Sequence, residues 1–186
     1  EKPYTDENDI ICWHYDHSQQ RTVKGINFVT CLYHCQGVSL PIGFEIVRKT
    51  EKYLDPKSGK EKRRSNRTKN EMYRDLMAQA VKNQIPFQYA LNDIWFASAE
   101  NMNFVKITLE KEFAMPLKGN RKVATSAEAK QNGRYQSVET LELEPMKPVT
   151  VYLEGVEFAL LLAKQVFTNE DGSTGILYLV TSDTTL

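Results

Sequence analysis

Along residues 10–47 the apolar positions follow the short periods of strands. Ile10 to Tyr15 reads as a short strand. Ile26 to Cys35 is nearly continuous in apolar, β-branched and aromatic residues, the pattern of a strand buried on both faces. Gln36-Gly37 supplies a turn, and Ser39 to Val47 returns to complete a hairpin, with Pro41 marking the return as an edge strand.

Beyond residue 67 the period lengthens. Thr68-Lys-Asn-Glu71 is a capping-box pattern: the Thr hydroxyl can accept from the Glu71 N–H while the Glu71 carboxylate reaches back. Met72, Leu76, Met77, Ala80 and Val81 follow at helical spacing, and Pro86 comes just after the expected end. Phe87 to Leu91 is a short strand, Ser98 begins a second helix with Met102, Val105, Leu109 and Phe113 on one stripe, and Phe113 to Leu117 is strand-like again. Residues 119–133 are polar and irregular or briefly helical. Strand-like runs then occupy Ser137 to Leu143, Val149 to Glu154, Val156 to Thr168 and Gly175 to Thr181, the last two joined by a hairpin loop over residues 169–175. The order β-β-α-β-α-β followed by an all-β segment predicts an α/β sheet with a β-rich insertion or appendage.

Composition narrows what this fold does. With 186 residues, 41% of them hydrophobic and 10% aromatic, the chain can bury a core, which excludes wholesale disorder. Its 24 Lys plus Arg balance 24 Asp plus Glu, which excludes a uniformly basic nucleic-acid coat but leaves room for a local patch. The longest apolar run, Phe158 to Ala163, is far short of the roughly 20 residues of a membrane helix, so no membrane partner is expected. The first residues are charged and polar, with no initiator Met and no signal peptide, so the chain is expected to be cut from something longer. Three cysteines give no disulfide framework and suggest a reducing, cytoplasmic setting.

Charge is unevenly spread. Between Lys57 and Lys69 seven basic residues face one acid, Glu61, and mutual repulsion predicts an exposed loop. Lys118-Gly-Asn-Arg-Lys122 is shorter and follows a strand; Gly119 would let backbone N–H groups approach an anion. Both segments are either solvated charge or phosphate contacts that release counterions from a nucleic-acid backbone. Asp93, just past a strand end, is either a turn or cap residue or a metal-binding carboxylate at the carboxyl end of a strand, where open α/β sheets place their sites. Cys12, His14, His17, Cys31, His34 and Cys35 are zinc-ligand types, but strand geometry sets Cys31 and Cys35 about 13 Å apart with His34 on the other face.

Three blocks carry a family resemblance: Val23-Lys-Gly-Ile-Asn-Phe-Val-Thr-Cys-Leu-Tyr33 with Gly37-Val-Ser-Leu-Pro-Ile-Gly43, then Ala90-Leu-Asn-Asp-Ile-Trp-Phe-Ala-Ser98, then Phe113-Ala-Met-Pro-Leu-Lys-Gly-Asn-Arg-Lys122. In this order they resemble bacterial insertion-sequence transposases of the DDE class, and Cys12-Trp-His-Tyr-Asp-His17 is similar to a branch of the insertion-sequence-four group. The resemblance implies a ribonuclease-H-like mixed sheet. Residues 1–122 would be a partial catalytic core lacking its first strand, and residues 123–186 a β-rich insertion leading back to that core. It further implies DNA cleavage and strand transfer by two Mg2+ (or Mn2+) ions held by three carboxylates, the second of them Asp93. Lys118, Asn120, Arg121, Lys122 and, beside the place of a base-stacking aromatic in some relatives, Tyr178 would contact DNA. The implied partners are double-stranded transposon-end DNA, target DNA and a second copy in a homodimeric synaptic complex, in a bacterial, nucleoid-associated location. The first Asp and the last Glu find no matching motif here, and Asp6, Asp9, Asp16 and Asp183 do not take their places. The parent would be active and this piece inactive; the alternatives are an inactive DNA-binding piece or a remnant of a decayed element.

Overall fold

The computed structural model describes residues 6–16 and 19–186, and the chain divides into two compact units, residues 1–85 and 86–186. His17 lies outside the described residues.

Among its described residues the first unit has three two-stranded antiparallel sheets and one helix. Strand β1 (Cys12–Asp16) pairs with β2 (Arg21–Gly25), which the sequence did not announce as a strand. Strands β3 (Phe28–Cys35) and β4 (Val38–Ile46) form the expected hairpin. Its turn residues Gln36 and Gly37 both have positive φ, +49° and +79°, which matches the right-handed twist of the flanking strands. The register slips between Cys31 and Leu32, where Leu32 faces Pro41, so the proline sits at the bulge.

Burial of β3 on both faces does not hold. Val29 is buried, but Phe28 and Leu32 are more than half exposed, as is Phe44 on β4. A two-stranded sheet has one covered face: helix α1 (Lys69–Lys82) packs on this hairpin, with Leu76 against Gly43. The capping box that starts α1 is present in full, and Met72, Tyr73, Met77 and Ala80 form its buried stripe.

The expected basic loop is also corrected. Residues Glu61–Arg64 form strand β6, paired with β5 (Glu51–Leu54). Repulsion within the run is offset across the hairpin: Arg64 donates to Glu51 at 2.8 Å, Lys52 lies 2.9 Å from Glu61, and Lys62 bonds Asp55 at the turn. The segment is exposed, as expected, but it is ordered by cross-strand ion pairs.

The second unit is a seven-stranded mixed sheet in the order β10-β9-β11-β12-β13-β8-β7. Its strands are β7 (Tyr89–Leu91), β8 (Glu112–Leu117), β9 (Lys122–Ala124), β10 (Gln136–Ser137), β11 (Val149–Leu153), β12 (Leu160–Thr168) and β13 (Thr174–Thr181). Only β7 and β8 run parallel. One sheet face carries the core: Phe113, Met115 and Leu117 on β8, Val180 on β13, Leu160 and Leu162 on β12, and Val151 on β11. Short helices α2 (Ala99–Asn103) and α3 (Ala127–Gln131) flank the sheet sequence.

Two expectations change here. The second helix passes into a π-helical turn, Phe104–Thr108, and ends, so Phe113 leaves the helical stripe for β8 while Met102 and Val105 stay fully buried. Ser137 to Leu143 is not a strand: after β10 the chain curls into a 3₁₀ turn, Val138–Thr140, closed by Leu141 N–H on Val138 O and Thr140 Oγ1 on Ser137 O. The apolar spacing Val138, Leu141, Leu143 is served by this curl, which buries Val138 completely. The whole is a mixed α/β protein with one large mixed sheet and few helices; among the described residues no helix is long and apolar enough to cross a membrane.

Candidate active site and nucleic-acid interface

Parallel strands end at the same sheet edge, and here that rule assembles a site. Leu91, the last residue of β7, pairs with Ala114, and β8 continues to Leu117. The chain leaving β7 carries Asp93 to Ser98, and the chain leaving β8 carries the turn Lys118 to Arg121, closed by Arg121 N–H on Lys118 O at 3.1 Å. Both segments therefore emerge at the carboxyl ends of neighbouring parallel strands, where open α/β sheets hold ligands.

Asp93 is exposed and starts a one-turn 3₁₀ helix, Ile94–Phe96. Its Oδ1 accepts from Trp95 N–H at 3.1 Å, and its carbonyl accepts from Phe96 N–H at 2.9 Å. Asn101, completely buried in α2, donates from Nδ2 to Phe96 O at 2.9 Å and ties this turn to the core. The cap function weighed for Asp93 is thus present, and one carboxylate oxygen takes part in it.

Across from it, Lys118 Nζ stands 5.5 Å from the centroid of the Trp95 ring, and Arg121 Nη1 donates to Ala97 O at 3.2 Å. Ile94, Trp95, Ala97, Ser98, Lys118 and Arg121 line a cleft of about 130 Å³. Pockets for whole small-molecule ligands run to about 300–1,000 Å³, so this one admits a fragment such as a phosphate or a base edge.

The remaining residues singled out in the sequence divide. Asn120 is exposed at the turn. Tyr178 on β13 lies behind it: a Cβ on Gly119 would stand 3.4 Å from the Tyr178 ring, 3.1 Å from Glu139 Cβ and 2.9 Å from the Glu139 carboxylate, so a larger residue there would require the Glu139 side chain to shift. Lys122 departs from the cleft, its Nζ donating to Ser137 Oγ at 3.1 Å. Sequence reasoning missed Trp95 as a partner of the basic turn; its place two residues after Asp93 was visible, but its pairing with Lys118 depends on strand order.

The acids elsewhere are engaged at other places. Glu112 begins β8 and Asp183 follows β13, at the end of β8 away from the turn. Ser182 Oγ donates to Glu112 at 2.6 Å, Lys106 pairs with it at 2.5 Å, and Tyr89 OH bonds Asp183. Burial opposes the charge on Glu112, but the bonds from Lys106 and Ser182 prevail and hold its carboxyl below the usual range. Hydrogen bonds from Thr185 and Tyr89 hold Asp183 down at about 2.

In the first unit Cys12 Sγ lies 3.3 Å from His14 Nε2, and His34 Nδ1 lies 2.9 Å from Ser39 Oγ. Burial, then the charges of Lys49 and Lys69, lowers His14 to about 4. Among the described residues no three of His, Cys, Asp or Glu come together to hold a metal ion. Asp93 therefore fits one ligand's share of a metal site and not a complete one.

Neither a curated protein nor a solved structure matches the chain. A family model described as DDE superfamily endonuclease matches residues 7–142, and this span contains Asp93, the cleft and the basic turn. That match covers most of the sequence, and the chain belongs to the DDE superfamily endonucleases.

Proposed function

We propose that this chain is the catalytic portion of a transposase of the insertion-sequence-four group, which cuts transposon-end DNA and joins it to target DNA. The observation that carries the proposal is the joint emergence of Asp93 and the Lys118–Arg121 turn at the carboxyl ends of β7 and β8, within a sequence of the DDE endonuclease family. In this reading the fold is ribonuclease-H-like, with residues 1–122 as core and 123–186 as a β-rich insertion.

Asp93 would be one carboxylate ligand for Mg2+ or Mn2+, hard cations that favour oxygen donors. When bound, such a pair of ions activates the attacking oxygen and stabilises the leaving one. The other carboxylates would come from outside Glu1–Leu186, leaving this piece inactive alone. Lys118 and Arg121 would neutralise phosphates next to the scissile bond, with Asn120, Lys122 and Tyr178 along the DNA path. The active assembly would be a homodimer on duplex DNA in the bacterial nucleoid. A second reading, a DNA-binding module without chemistry, draws on the engagement of Asp93 Oδ1 as a cap.

Substitution separates the two. In the complete protein, Asp93→Asn keeps a side chain able to cap Trp95 N–H but removes the charge. Cleavage of transposon-end DNA is expected to be abolished while affinity for that DNA and the unfolding midpoint stay near wild type. Cleavage retained within a few-fold would remove Asp93 from the chemistry and leave the DNA-binding reading.

A further inference from the structure

We propose that Asn101 is a positioning residue for the metal-binding carboxylate: its buried amide fixes the turn that presents Asp93 and, through the same turn, the carbonyl that holds Arg121. The proposal rests on the DNA-processing reading above and adds to it a residue that touches neither DNA nor ion.

Among the described residues two polar side chains are buried, Asn101 at 0% exposure and Ser182 at 4%. An amide taken out of water costs free energy unless its bonds are made, and an apolar residue would fill the same space at less cost. The bonds of Asn101 therefore show what it is for. Its Nδ2 donates to Phe96 O at 2.9 Å, and its backbone N–H donates at 3.2 Å to Oγ of Ser98, the cap of α2. Neighbouring Met102 and Val105 are completely buried, so the amide is mounted on the core while the turn it grips reaches the surface.

The turn needs that grip. Strand β7 ends at Leu91, and Ile94–Phe96 make a single turn of 3₁₀ helix, whose hydrogen bonds are poorly aligned. Ala97 then takes φ −78° and ψ 54°, an inverse γ-turn closed by Ser98 N–H on Phe96 O at 2.9 Å. Phe96 O thus accepts from Ser98 and from Asn101 at once, and the peptides on both sides are set from that point. On one side Phe96 N–H bonds Asp93 O and Trp95 N–H bonds Asp93 Oδ1, which leaves Oδ2 for a cation. On the other, Ala97 O accepts from Arg121 Nη1 at 3.2 Å. One buried amide therefore sets both a carboxylate and a guanidinium, and a ligand misplaced by about 1 Å can cost about 100-fold in rate.

The test uses the complete protein and Asn101→Leu, which keeps an uncharged side chain of similar length and removes the donor. In EDTA, where no cleavage intervenes, hydrogen exchange at the Trp95 and Phe96 amides should quicken while affinity for transposon-end DNA stays near wild type. At a fixed low Mn2+ concentration cleavage should fall about 10- to 100-fold, the loss expected when the support behind a metal ligand is removed, and added Mn2+ should restore part of it. Ser182→Ala is the control: it removes the other buried polar side chain, which bonds Phe113 N–H and Glu112 at the far end of β8. It should lower the unfolding midpoint without raising the Mn2+ requirement. Ser98→Ala removes the hydroxyl that receives Asn101 N–H and should shift exchange and Mn2+ requirement the same way by less; it decides the matter if Asn101→Leu fails to fold. Unchanged exchange, or a loss of cleavage that Mn2+ does not relieve, overturns the positioning role while Asp93→Asn remains inactive. If Asp93→Asn cleaves like the wild type, the DNA-processing reading falls and the proposal with it.

Discussion

The two units use strands in opposite ways. Residues 86–186 close one sheet over one core, and among the described residues every large side chain less than 2% exposed belongs to that unit. The described part of residues 1–85 makes three separate hairpins and buries few residues: Cys12, Val29, Val47 and the stripe of α1. A hairpin needs only its own turn and neighbour, whereas a seven-stranded sheet needs pairings from distant sequence. The candidate site lies in the second kind of region. A side chain that must hold one position needs a backbone that does not move, and buried Asn101, bonded to Phe96 O, ties the turn that carries Asp93 to the core.

The strongest way to break this contrast is to empty the core. Phe113 is fully buried, with its ring 6.2 Å from that of Phe158, and Phe113→Ala should destabilise the second unit by about 3–5 kcal/mol. Phe28 is chemically identical but 56% exposed, and Phe28→Ala should change stability by no more than about 0.5 kcal/mol. Urea unfolding followed separately by Trp13 and Trp95 fluorescence, one reporter in each unit, measures both. Similar destabilisation at the two positions would show that the hairpin face is as well packed as the sheet.

Acid should separate the units next. His14 titrates at about 4 in the folded chain against 6.5 normally, so it stays neutral where the unfolded imidazole binds a proton. Its contribution is complete above pH 6.5 and is lost as pH falls from 6.5 toward 4. Asp183, held at about 2 against 3.8, contributes fully above the ordinary carboxylate range and loses that only as pH falls toward 2. The Trp13 transition should therefore weaken at mildly acid pH before the Trp95 transition does, and His14→Gln should flatten that first decline. A Trp13 midpoint unchanged between pH 7 and 4 would remove His14 as its cause.

What the sequence disclosed follows the reach of each interaction. Thr68 and Glu71 are three residues apart, and Gln36-Gly37 defines its turn locally, so cap and hairpin were legible. The β5–β6 hairpin was not, because Glu51 and Arg64 meet across thirteen positions and a run of positive charge hides a partner that distant. The two exposed faces of β3 and β4 misled for the opposite reason: Phe28, Leu32 and Phe44 are composed like a core without being covered as one. In the site, Asp93 and the basic turn stood out by resemblance to a family. The approach of Trp95 to Lys118 did not, since it exists only because β7 and β8 run parallel.

The smallest effect compares the two basic segments directly. Lys118 and Arg121 face the Trp95 cleft, whereas Arg64, Lys52 and Lys62 of the first unit already answer Glu51, Glu61 and Asp55. A cation that is paired before DNA arrives must give up its partner to neutralise a phosphate, so it gains less and releases fewer counterions in net. Replacing Lys118 and Arg121 with Ala in the complete protein should flatten the dependence of log affinity on log salt by up to about 0.9 for each phosphate left without its cation. Replacing Lys60, Lys62, Arg63 and Arg64 together should flatten it less, and equally for any DNA sequence. A larger drop in transposon-end affinity from the hairpin variant than from the turn variant would move the DNA path to the first unit and away from Asp93.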